Sequence, residues 1–180
     1  GIQTKGRPYI AGAANISKFT NQKFCPVHQL ATKVDPKIDP VVHSRRPIPD
    51  VTQAKDIPSD FLLLVTEDDM QIADVLPHPP IATIGALATE GRSPHPLGEI
   101  AQHFAATAMS DACGDHLIIS HCAWSDDIIR ACARHQTKTV VTGYAPVGLV
   151  ATALENARSD LTAAGIRVLS VRRDFDTVAW

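Results

Sequence analysis

Ser120, His121 and Cys122 stand in a row, two potential nucleophiles flanking a potential base. Covalent catalysis needs a hydroxyl or thiol within hydrogen-bond reach of an imidazole, which a third group orients. Neighbours on a strand point to opposite faces, so His121 is badly placed to activate either one. No acid at a recognisable spacing marks itself as the orienting group. The expectation is therefore a histidine hydrogen-bonded within the fold or touching a ligand at a strand end, and no catalytic residue is assigned. Glu67, Asp68 and Asp69 offer hard oxygen donors of the kind Mg²⁺ takes. Side chains alternate along an extended segment, which keeps three consecutive carboxylates from converging, so a solvated acidic loop is expected.

Other chemistries find less support. The eight histidines never occur as H-x-H or H-E-x-x-H, and Cys25, Cys113, Cys122 and Cys132 form no C-x-x-C pair. No metal site is expected from these spacings. Neither a full G-x-G-x-x-G nor a G-x-x-x-x-G-K-[ST] is present. The nearest phosphate-friendly turn is TGYAPVG, from Thr142 to Gly148. There a glycine ends a strand and a helix begins, whose unpaired N–H groups can meet an anion or simply close the fold.

Composition narrows the class. The chain has 180 residues, 44% of them apolar, 20% charged and 5% aromatic, with a formal charge of -2. That aliphatic content excludes a disordered chain, and the near-neutral charge argues against gripping nucleic acid by bulk electrostatics. No apolar run approaches the length that spans a bilayer, and no secretory signal pattern is visible. Four reduced thiols in a cytoplasmic protein are expected. A first residue Gly1 in place of Met reads as a processed tag or an excised fragment.

The elements that must carry these residues form an α/β series. Six prolines fall between Pro26 and Pro58, a density that breaks helices and central strands. Residues 25–58 thus read as an extended proline-rich linker between a short tail, 1–24, and an α/β domain, 59–180. FLLLV (61–65), IATIGALA (81–88), HLIIS (116–120), KTVVTG (138–143) and IRVLSVRR (166–173) read as strands. Helices are expected over 96–112, with Ile100, Phe104 and Thr107/Ala108 inward, over 125–136, and over 147–165. Ser125 is the expected cap of the second, with Ile128, Ile129 and Cys132 buried, and Gly165 closes the third. This alternation predicts a mostly parallel, doubly wound Rossmann-like sheet with helices on both faces. Ligands of such sheets sit beyond the carboxyl ends of the strands, which pools Glu67, Asp68, His121, Tyr144 and Gly148 into one crevice.

The tail concentrates Lys5, Arg7, Lys18 and Lys23 with Tyr9, Phe19 and Phe24, a mixture that can hold nucleic acid or an anionic cofactor. Its runs GIQTKGRPYI, ANISKFT and the closing KF resemble the end of the helical flavin domain in bacterial members of the DNA photolyase/cryptochrome family. TVVTGYAPVG, LTAAGI and RRDFDTVAW resemble the α/β region of the same proteins. The resemblance implies a flavoprotein that holds FAD in its helical domain. Light-excited reduced flavin passes an electron to a pyrimidine dimer in the repair enzymes, and serves signalling in cryptochromes.

Carried over by position, Gln3, Thr4, Lys5 and Tyr9 fall near the flavin or the DNA-facing rim, and Asn15 and Lys18 match the short helix that follows. The family's flavin-pocket acids and asparagine lie before the stretch that matches Gly1. The chain is accordingly expected to be an accessory α/β portion whose parent, a deoxyribodipyrimidine photolyase or a relative, carries FAD and meets DNA. This chain alone is expected to retain no FAD and to be inactive. Its partner would be the helical flavin domain, with no membrane involved. One departure is order, since the family usually places its α/β domain first. The alternative reading is a stand-alone Rossmann-like nucleotide-binding or protein-interaction domain.

Overall fold

Leu62–Thr66 is a strand without a polar face, every residue of it buried. A strand of this kind must be covered on both sides, which a parallel sheet between two helix layers achieves. The computed structural model describes residues 3–4, 7–8, 11–30, 50–92, 96–114, 116–121, 123–174 and 176. They fall into two units, Gly1–Pro47 and Ile48–Trp180.

In the first unit, strands β1 (Gln3–Thr4) and β2 (Arg7–Pro8) pair antiparallel, with Thr4 opposite Arg7. Helix α1 (Ala13–Phe19) follows and buries none of its residues. Lys18 lies 5.8 Å from the ring centre of Phe19, and Lys23 lies 5.5 Å from that of Phe24. Both rings are exposed.

The second unit holds β3 (Leu62–Thr66), β4 (Ala82–Ala86), α2 (Glu99–Cys113), β5 (Ile118–Ile119), α3 (Ser125–Arg134), β6 (Thr139–Gly143), α4 (Leu149–Ala163) and β7 (Arg167–Val171). The five strands are all parallel, in the order β5-β4-β3-β6-β7. The Rossmann-like sheet expected from the alternation is thus present. Leu62 and Leu64 face one core with Ile84, Ile128, Cys132, Val140 and Leu161, under α3 and α4. Phe61, Leu63 and Val65 face the other with Met109, Cys113, Val141 and Val171, under α2. Residues 50–58 belong to this unit too: the Thr52 N–H donates to the Ser170 carbonyl at 2.8 Å, and Ile57 is buried. No helix among the described residues is long and apolar enough to cross a membrane.

Two local expectations are corrected. Helix α2 does not turn Ile100 and Phe104 inward, since they are 89% and 74% exposed. Its buried residues are Met109 and Cys113, a turn apart, seated over Gly85 of β4. A β-carbon at Gly85 would stand 2.8 Å from Met109 Cγ and Sδ and 3.0 Å from Cys113 Sγ. The glycine therefore decides which stripe of α2 meets the sheet. In α3 the capping position falls to Trp124, whose backbone is already helical and whose ring is 1% exposed. Burying that ring draws the helix start onto Ser125, which forms no side-chain cap. Asp126 and Asp127 remain in the first turn, where the helix dipole favours acids.

The end of α4 follows its sequence reading. Gly165 takes φ +70°, its N–H donates to the Thr162 carbonyl, and the Ile166 N–H reaches back to Leu161. This is the Schellman closure, with Leu161 and Ile166 buried in the same core. The close seat of α2 gives a prediction. Gly85→Val should lower stability in urea by about 1–3 kcal/mol, as overpacking does, with Gly85→Ala costing less because the methionine tail can shift.

Candidate functional site

From β3 the chain crosses to β4 on one side and later to β6 on the other, so the loops after β3 and β6 diverge. That divergence opens the crevice where doubly wound sheets hold ligands. In this protein it is stitched closed by charge. The chain turns tightly after β3, the Asp69 N–H donating to the Thr66 carbonyl at 3.2 Å. This folds Asp69 back over the end of β6, where a β-carbon on Gly143 would lie 3.1 Å from Asp69 Cβ. A side chain at this position would crowd Asp69 by a few tenths of an ångström.

Across the same end, Arg173 donates from Nε to Asp69 Oδ2 at 2.7 Å and from Nη2 to Oδ1 at 2.9 Å. The pair is bidentate and mostly enclosed, the side chains 17% and 19% exposed. The hydrogen bond to Asp69 pushes the Arg173 pKa up, with desolvation opposing it. Asp69 Oδ1 also accepts from the Gln71 N–H at 3.1 Å. Beside this clamp, the Tyr144 N–H donates to the Val171 carbonyl at 2.8 Å. The Arg172 guanidinium sits 5.7 Å from the Tyr144 ring centre. Arg172 Nε is buried without a hydrogen-bond partner among the described residues, as is the hydroxyl of Thr142 just before Gly143.

The crevice residues named from sequence separate into two places. Glu67 is half-buried and Asp68 exposed on the turn that carries Asp69, and Tyr144 lies on the neighbouring loop. Gly148 is exposed, at φ +110°, and caps α4, with the Thr152 N–H donating to its carbonyl at 3.0 Å. His121 lies elsewhere. It follows β5, two strands from β3, a separation of about 10 Å in the sheet. Its Nε2 is 3.0 Å from Asp127 Oδ2, and Arg130 pairs with the other carboxylate oxygen. An orienting acid for His121 therefore exists, on the first turn of α3. Among the described residues no hydroxyl or thiol is hydrogen-bonded to this histidine, Ser120 is exposed, and the Cys122 side chain lies outside them.

The acidic run after β3 is not a uniformly solvated loop, because Asp69 is committed to Arg173. Among the described residues no cluster of three or more His, Cys, Asp or Glu side chains is arranged to hold a metal ion. Gln3 and Thr4 lie in β1, and Lys5 and Tyr9 lie outside the described residues. Cys113 and Cys132 are buried free thiols whose pKa burial pushes up, Lys138 partly offsetting this at Cys132. They pack as small apolar groups. Sequence reasoning missed Arg172, Arg173 and the role of Asp69. The available signal was the pair of arginines directly after the last strand, at the edge where ligands gather.

Compared with protein-family models, with curated proteins and with solved structures, the chain finds no match. The clamp is testable as a coupled pair. Asp69→Asn and Arg173→Gln should each cost about 1–2 kcal/mol in urea denaturation, with a coupling near 1 kcal/mol in the double-mutant cycle.

Proposed function

We propose that the chain supplies the α/β portion of a photolyase/cryptochrome-like flavoprotein, in which a flavin bound outside this chain performs light-driven electron transfer. The observation that carries the reading is a conjunction in one polypeptide. A short tail whose sequence resembles the end of that family's flavin domain is joined to a separate doubly wound α/β unit. The family pairs those same two parts. In this reading the α/β unit is accessory, and repair of pyrimidine dimers or signalling belongs to the whole protein. Of the two tryptophans, Trp124 is committed to core packing. DNA contact would likewise fall to the whole protein, because this chain's charge of -2 supplies no bulk attraction for phosphates.

A second reading, a stand-alone nucleotide-binding unit, is favoured by the strand order alone. A nucleotide at the β3–β6 divergence would have to draw Arg173 away from Asp69, exchanging one anion for another. The two readings separate experimentally. Expressed as the whole reading frame that contains it, the protein should purify with stoichiometric FAD, whereas the 180-residue chain titrated with FAD should show no saturable binding. Tight FAD binding by this chain, or a flavin-free whole protein, would sink the flavoprotein reading. Saturable binding of ATP or AMP, weakened by Arg173→Gln, would install the second.

A further inference from the structure

A groove of the α/β unit lies away from the carboxyl edge. It runs along α3 beside the start of β4 and the approach to β5, and encloses about 500 Å³. That is within the range of about 300–1,000 Å³ typical of small-molecule sites. Its lining has two characters. Ile84 and Ala131 are buried and make an apolar floor, with half-exposed Leu117 on one wall. Exposed Arg130, Arg134, His116 and His135 stand around it.

We infer that this groove binds a small organic phosphate, a ligand with an apolar body and a phosphate monoester head. The one carboxylate in the lining is already used. Asp127, 14% exposed, accepts from Arg130 Nη2 through one oxygen, and its other oxygen lies 3.0 Å from His121 Nε2. Its charge is thereby neutralised, and it tethers Arg130 to the groove. The side chains of Arg134 and the two histidines form no hydrogen bond or ion pair with the described residues, so their donors are available to an anion.

The helical spacing explains the convergence. Asp127, Arg130, Ala131 and Arg134 recur at three- and four-residue steps and share one face of α3. Basic residues near a helix C-terminus also suit the helix dipole, which accounts for Arg134 and His135 being there. It does not account for His116, from a different segment, facing the same apolar-floored groove. A planar guanidinium suits bidentate phosphate recognition, and an imidazole adds a directed donor. Leu117, 53% exposed on the wall, distinguishes this site from one for a bare anion, because a ligand with an apolar body covers it.

Calorimetric titration of the full chain with phenyl phosphate, inorganic phosphate and phenol at low ionic strength tests the inference. Phenyl phosphate should bind at least about tenfold more tightly than inorganic phosphate, the ring adding apolar burial, and phenol should not bind measurably. Arg134→Gln should weaken phenyl phosphate about tenfold, the loss of a charge-assisted contact. Arg158→Gln, an equal loss of charge at an exposed position of α4, should leave affinity unchanged. Backbone amide shifts on binding should map to Ile84, Leu117 and Ala131, and His116→Gln gives an independent check should Arg134→Gln fold poorly. Absence of phenyl phosphate binding, equal affinity for inorganic phosphate, or equal weakening by the Arg134 and Arg158 variants would overturn it.

Discussion

Burial of β3 on both faces is the constraint from which the α/β unit is built. Leu62 and Leu64 need α3 and α4 on one side, while Leu63 and Val65 need α2 on the other. Fully covering an aliphatic side chain stabilises by roughly 1.5–3 kcal/mol, so four such residues in succession outweigh any single local preference nearby. Parallel pairing to β4 and β6 then follows, since helical crossovers on both faces connect parallel strands. Gly85 tunes the distance of one helix layer, and the Trp124 ring fills the other at the start of α3.

The same topology assigns different chemistry to different margins of the sheet. At the carboxyl edge, Asp69 and Arg173 bridge the ends of β3 and β7 across Gly143, and Tyr144 with Arg172 extends the closure. A ligand anion there would have to compete with the internal carboxylate of Asp69. Around α3 the balance is reversed: the internal acid satisfies only part of the basic lining, and Leu117 on the wall stays half-exposed. Charge that is internally matched in one place and in excess in another is the main asymmetry of this unit.

Much of the fold was legible from local sequence. FLLLV, KTVVTG and the alternation of strands with helices gave the architecture, and Gly165 marked a helix end by its left-handed backbone. What escaped depends on contacts far apart in the chain. The inward face of α2 could not be read from Ile100 and Phe104, because the seat for Met109 and Cys113 is made by Gly85 on another element. Asp69 and Arg173 are 104 residues apart, so an acidic run in a loop gave no sign that one of its members was clamped. His121 was read as lacking an acid, although Asp127 is six positions on, because only the turn into α3 brings them together.

The doubly buried β3, paired to β4 and β6, should be the last element to lose its structure, with the two-residue edge strand β5 opening first. Native-state hydrogen exchange on the full chain addresses it directly, because local openings and global unfolding give different protection. The amides of Leu63–Val65 and Val140–Thr142 should exchange only through global unfolding, with the free energy found by denaturant titration, and those of Ile118 and Ile119 through smaller openings. Exchange of β3 at lower free energy than β5 would show that burial of β3 does not hold the sheet together.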